Sequence, residues 1–193
     1  MEAAQSMKAL GRLAAVMAIG TYLASANADA LGLAPPGAFV LGVLFGPCLT
    51  VAVYAFRRRL EGLGAKHAAA LAFQFVSLGA VLLTIMVCVQ SAMQTSEGYV
   101  EAALDLSQRA LDVSWDVFFG LGTICFAAGL ARLSRLAFVI SLLGGLTSVA
   151  FLSANLIAYP RFPSELGWPD LGPAMLGWYV FAAFPLQKSD ATA

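Results

Sequence analysis

Residues 68–92 read AAALAFQFVSLGAVLLTIMVCVQSA, a run without a single lysine, arginine, aspartate or glutamate. About 20 apolar residues in a helix suffice to cross the ~30 Å hydrocarbon layer of a bilayer. A helix that turned one face to water would interrupt such a run with charge every few residues. Residues 68–92 are therefore expected to span a membrane. Working outward, five further apolar segments have the same character, at about 10–28, 37–56, 114–131, 136–159 and 171–186. With short loops they use nearly all of the 193 residues, so one transmembrane domain over 1–193 is expected and no separate soluble domain.

Composition agrees. Hydrophobic residues make up 60% and charged residues 11%, against about 25% charged in soluble domains, and mean hydropathy is +0.82. The formal net charge is zero, which argues against a nucleic-acid partner. The charge is segregated. With six spans, Lys8, Arg12, Arg57, Arg58, Arg59, Lys66, Arg132, Arg135 and Lys188 share one side, and Arg109 and Arg161 lie opposite. Asp29, Glu97, Glu101, Asp105, Asp112, Asp116, Glu165 and Asp170 also lie opposite, which leaves Glu2, Glu61 and Asp190 with the basic set. Basic loops stay cytoplasmic, so both termini are expected inside. The fold expected is an all-α bundle of six transmembrane helices.

The first segment has a rival reading. Lys8 and Arg12, the apolar run 13–24 and Ala26-Asn27-Ala28 have the form of a signal peptide with its cleavage site. Retention as the first span is the reading adopted. Cys48, Cys88 and Cys125 all lie in apolar segments without a CxxC pair, which suits buried thiols rather than a disulfide framework or zinc site.

The long connection 93–113 carries Glu97, Glu101, Asp105, Gln108 and Asp112 at helical spacing, with Val100, Ala103, Leu104, Ala110 and Leu111 on another face. An external amphipathic helix lying along the membrane surface between the third and fourth spans is expected, N-capped by Thr95 or Ser96. Within the spans, small and polar residues form stripes. Gln74, Ser77, Thr84, Cys88 and Ser91 mark the third, and Asp116, Gly120, Thr123 and Ala127 the fourth. Ser141, Gly145, Ser148 and Asn155 mark the fifth, and Ala14, Ala18, Thr21 and Ser25 the first. Such residues favour close helix packing or line a polar cavity between the third, fourth and fifth helices. Gly42-x-x-x-Gly46 in the second span precedes Pro47, where a kink is expected.

Trp115-Asp116 is the pair with most chemical content. One turn into a fourth helix starting near 114, Asp116 would complement the helix dipole, and Trp115 would suit the interfacial belt. In the functional reading Asp116, with Asp112 and Asp170, forms an external acidic site for a cation, a proton or an ammonium-bearing ligand. Trp115 and Trp168 then supply cation–π faces, and Gln74, Thr84, Asn155 and Tyr179 line the path. No cofactor is expected. His67 is the sole histidine and no span contains lysine, which excludes bis-histidine haem and a retinal Schiff base, and no P-loop, GxSxG or HExxH occurs.

Residues 111–123 (LDVSWDVFFGLGT), Tyr159-Pro160-Arg161-Phe162-Pro163, Asp170-Leu171-Gly172-Pro173 and Gly177-Trp178-Tyr179 together resemble a group of small bacterial multi-pass membrane proteins of unknown function. The resemblance covers about residues 105–187. It implies a helical protein of the bacterial cytoplasmic (inner) membrane, directs attention to Asp116, Asp170 and Trp178, and supplies no reaction. Three classes of function stay open. The favoured one is a non-enzymatic protein that binds or moves a small solute or ion through an outward-facing polar cavity. Another is an accessory subunit, in contact with other membrane subunits or further copies of itself. The third is a membrane enzyme acting on a lipid-like substrate with Glu97, Asp112, Asp116 and Asp170 as acid and base.

Overall fold

The computed structural model describes residues 2–188, and the side chains among them except those of 2–8, 12, 26, 180, 181 and 183–188. The side chains of Glu2, Lys8, Arg12, Lys188 and Asp190, which enter the charge segregation, lie outside the described set. Among the described residues the chain is helical throughout, with no strand. Six α-helices run α1 Glu2–Ala26, α2 Pro35–Gly62, α3 Lys66–Met93, α4 Tyr99–Leu130, α5 Arg135–Ala158 and α6 Gly172–Lys188, with a 3-10 turn at Pro163–Leu166. Four of them, α2, α3, α4 and α5, are long and apolar enough to cross a membrane. The apolar part of α1, Ala9–Ser25, and the 17-residue α6 are shorter.

Local chemistry sets the boundaries. Pro35 opens α2, where its missing N–H costs nothing. Gly64, at φ 90°, turns the chain between α2 and α3, and Gly98, at φ 63°, sits just ahead of α4. Both adopt the left-handed region that glycine enters without a steric penalty. Ser134 caps α5, its side chain accepting from the Ala137 amide at 3.1 Å.

The amphipathic segment is not a separate helix. Residues 99–113 are the first turns of α4, which runs unbroken for 32 residues. No proline or glycine lies between Tyr99 and Phe119 to interrupt the hydrogen-bond ladder, so nothing bends the chain where the apolar part begins. At about 1.5 Å per residue α4 is about 48 Å long, well beyond the ~30 Å apolar layer. The expected caps also differ. The Thr95 and Ser96 hydroxyls both donate to the Ala92 carbonyl, at 3.1 and 2.8 Å, closing the end of α3 rather than opening α4.

The described chain forms two compact units. One holds the chain through Ala55 with Ser77–Trp115, and the other holds Phe56–Val76 with the chain from Asp116 onward. In the first, the glycines of the GxxxG pair bring α2 onto α3. A Cβ on Gly46 would overlap the Ala80 carbonyl oxygen and Thr84 Oγ1, and one on Gly42 would press on Val87. Gly11 of α1 lies as closely against Ala55 of α2. Rings of Tyr22, Phe45 and Trp115 follow one another at 5.5 and 6.2 Å between centroids. The helix continues through Pro47, which is exposed.

In the second unit Gly144 of α5 is covered by the Trp178 indole of α6, whose Nε1 donates to the Ile140 carbonyl at 2.7 Å. Gly122 of α4 packs on Val76 and the Ala72 carbonyl of α3, and Gly120 on Leu152 of α5. The small-residue stripes of α1, α4 and α5 are largely buried: Ala14, Ala18 and Thr21; Asp116, Gly120, Thr123 and Ala127; Ser141 and Ser148. The stripe of α3 is not. Gln74 and Cys88 are exposed, and the buried face is Ala69, Ala72, Val76, Ala80, Leu83 and Met86. Close approach of neighbouring backbones selects alanine and glycine over glutamine at these contacts, because lipid gives no hydrophobic drive to bury one apolar face over another.

Candidate functional site

Asp116 is 5% exposed and stands about five turns after the start of α4. At that distance the positive helix end no longer acts on it, since the dipole effect fades within the first turn. The dipole account expected for this carboxylate therefore fails, because the helix begins at Tyr99. What remains is a carboxylate held near the N-terminal limit of the apolar segment 114–131, on the face that continues through Gly120 and Thr123.

Thr123 is fully buried, and its hydroxyl donates to the Phe119 carbonyl at 2.8 Å. That commits its single proton, so the 3.0 Å contact with Tyr179 Oη has tyrosine as donor and threonine as acceptor. Aromatic rings surround the Tyr179 ring: Phe119 stacked at 5.6 Å, and Phe56, Phe126 and Trp178 edge-on at 6.1, 6.0 and 5.0 Å. Phe119, Thr123 and Phe126 recur at i, i+4 and i+7, so one face of α4 builds most of this pocket. Asp116 precedes Phe119 by three positions on that face.

The other expected site residues are placed as follows. Trp115 is buried and meets Phe45 edge-on, which sets its ring in a packed interior. Asp112 is half-buried. Two turns earlier on α4, Asp105 pairs with Arg109 at 2.9 Å. Asp170 is exposed and accepts from the Gly172 amide at 2.8 Å, a capping role at the start of α6. Trp168 is exposed in the loop before it. Gln74 is exposed. Thr84 and Asn155 are half-buried and donate to carbonyls of their own helices, at Ala80 (2.9 Å) and Phe151 (3.0 Å). Ser141 and Ser148 do the same, each at 2.7 Å. Such bonds satisfy a hydroxyl or amide in lipid without a partner helix.

Of the expected ligand residues, Tyr179 is tied to the α4 stripe by its hydrogen bond to Thr123. Sequence reasoning missed the ring of Phe56, Phe119 and Phe126 around it, although the i, i+4, i+7 spacing on α4 was there to be read. Ser77, a member of the α3 stripe, has a hydroxyl buried without a hydrogen bond among the described residues. Among the described residues no three His, Cys, Asp or Glu side chains gather to hold a metal ion.

At the end of α2, Arg57 Nε and Arg58 reach Glu61 at 2.7 and 3.2 Å, and Arg57 also lies 5.2 Å over the Phe73 ring. The hydrogen bond from Arg57, reinforced by the charges of both arginines, holds the Glu61 carboxyl below its ordinary value. No protein-family model, no curated protein and no solved structure matches the chain.

Proposed function

We propose that this is a six-span protein of a bacterial cytoplasmic membrane, both ends inside, that binds or translocates a small cation or cationic solute from the outer side at Asp116. The six-span reading adds α1 and α6 to the four helices that are long and apolar enough. It is supported by the concentration of Arg57, Arg58, Arg59, Lys66, Arg132 and Arg135 at the α2–α3 and α4–α5 turns. The group of small multi-pass proteins that the second half resembles fits the same reading.

The observation that carries the functional part is the burial of Asp116. Ionisable side chains within a spanning helix are costly and mark ion, proton or substrate paths. Here the dipole explanation has fallen away. The neighbouring Thr123–Tyr179 pair adds polarity one to two turns deeper on the same helix face.

The test is thermal unfolding of the purified chain in nanodiscs across a panel of sodium, potassium and small organic ammonium salts. A concentration-dependent rise in midpoint with one cation is expected, following the mass-action form for a ligand that binds only the folded state. Asp116→Asn should abolish that rise while leaving the ligand-free midpoint within a few degrees. An unchanged rise in Asp116→Asn, or none with any cation, removes the proposal. Threading is tested separately, by single cysteines at Lys66 and Glu101 in a background lacking Cys48, Cys88 and Cys125. Labelling of both from one compartment would overturn the orientation.

A further inference from the structure

A groove of about 320 Å³ runs along the surface between α4 and α5, at the lower end of the size of small-ligand sites. Its walls are apolar: Ala127 and Ala128 on α4, and Phe138, Leu142, Gly145 and Val149 on α5. The one hydroxyl on its lining, that of Ser141, donates to its own helix at Ala137. The groove ends at Ala131, in the turn that carries Arg132 and leads to Arg135, the first residue of α5.

The α5 wall recurs at alternating intervals of three and four, the spacing of one helix face. Continued one step toward the turn, that series reaches Arg135. Arg132 follows the end of α4 by two residues, next to Ala131 of the lining. Both arginines are exposed, and neither makes an ion pair among the described residues. Two exposed arginines, unpaired among the described residues, thus flank in the chain the residues that close this end of the apolar trough.

We propose that this groove is a site for one anionic phospholipid, an acyl chain lying along Ala128, Leu142 and Gly145 and the phosphate held by Arg132 and Arg135. Guanidinium forks match phosphate oxygens in pairs, and basic pockets at the ends of spanning helices recognise anionic head groups. The apolar wall supplies chain contact common to all phospholipids, and the arginines supply the choice of head group. This inference rests on the membrane reading alone and is independent of Asp116.

The experiment is native mass spectrometry of the full chain from mixed micelles of phosphatidylglycerol and phosphatidylcholine. Retention of one phosphatidylglycerol is expected, with about thirtyfold preference over phosphatidylcholine for two surface cations. Arg132→Gln with Arg135→Gln should level that preference to about twofold or less. Gly145→Leu should lower retention of both lipids, since a Cβ at Gly145 meets open space and the side chain would fill the trough without disturbing the helix pair. Circular dichroism confirms that each variant is helical, and if the double variant does not fold, Gly145→Leu is decisive on its own. Equal retention of the two lipids by the unaltered chain, an undiminished preference in the arginine variant, or full retention in Gly145→Leu overturns the proposal. So does a stable dimer that Gly145→Leu dissolves, which would make the trough a contact between two copies.

Discussion

The two compact units solve the same problem, holding helices together where lipid competes for every apolar contact, by different means. The unit built from α1 and the neighbouring parts of α2, α3 and α4 relies on backbone approach at Gly11, Gly42 and Gly46, where α-carbons meet Ala55, Val87 and Ala80. A bond from Ser25 Oγ to the Ala38 carbonyl at 3.3 Å joins α1 to α2 there. The unit that includes α5 and α6 also uses glycines, at Gly122 and Gly144. To these it adds side-chain bonds between helices, Tyr179 to Thr123 and Trp178 to Ile140, with Ser148 against Met175 at 3.4 Å, the first two in the aromatic cluster around Tyr179. Glycine contacts are short-ranged and intolerant of added volume. Aromatic contacts carry large area together with a polar tip that fixes orientation. The first unit should therefore respond to overpacking and the second to truncation.

Substitutions sharpen or break that contrast, read by unfolding in detergent. Trp178→Ala should show the largest effect, a loss of about 3–5 kcal/mol, because it removes a buried ring, the cover over Gly144 and the bond to Ile140. Gly46→Leu comes next, a loss of about 1–3 kcal/mol, since the Ala80 carbonyl it would strike is backbone and cannot turn aside. Gly145→Ala, with open space around it, serves as the control and should lose nothing, gaining up to about 1 kcal/mol of helix propensity. A Gly46→Leu protein as stable as the parent would end the close-approach account of the first unit.

Ser77→Ala should act in the opposite direction. It removes a buried hydroxyl without a hydrogen bond and raises helix propensity, for a gain of about 1 kcal/mol. Destabilisation instead would show that this hydroxyl is used. Thr123→Val should be smaller, a loss of about 0.6 kcal/mol, the mean for hydrogen bonds between helices in membranes. A far larger loss would make the Thr123–Tyr179 bond, rather than the surrounding rings, the organiser of the second unit.

The smallest effect is that of pH on Glu61. Its carboxyl is held below the ordinary value by the hydrogen bond from Arg57 and the nearby charges. Its contribution is therefore present at and above the usual carboxylate range and fades as pH falls through the lowered value. Glu61→Gln should remove this acid-side slope and leave the neutral-pH midpoint nearly unchanged.

The stripes on α1, α4 and α5 were legible because i, i+3/i+4, i+7 spacing places residues on one side of a helix whatever surrounds it. The same geometry misled on α3, where Gln74 and Cys88 share a stripe that the neighbours do not cover. Polarity along a spanning helix gives no direction to the core when both the bilayer and the interior are apolar. Asp116 was legible as chemistry but not as environment. A start near 114 and a start at Tyr99 read equally well from the residues, and they place the carboxylate either inside the field of a helix end or far from it.

Composition and the length of the uncharged runs determined by themselves that these helices belong in a membrane, because the cost of moving charge and unpaired backbone into lipid depends on residue type alone. Where α4 begins, which side of α3 is covered, and how Tyr179 reaches Thr123 were decided only in three dimensions. The last two depend on how closely one backbone can approach another, a distance that no single helix carries in its own pattern.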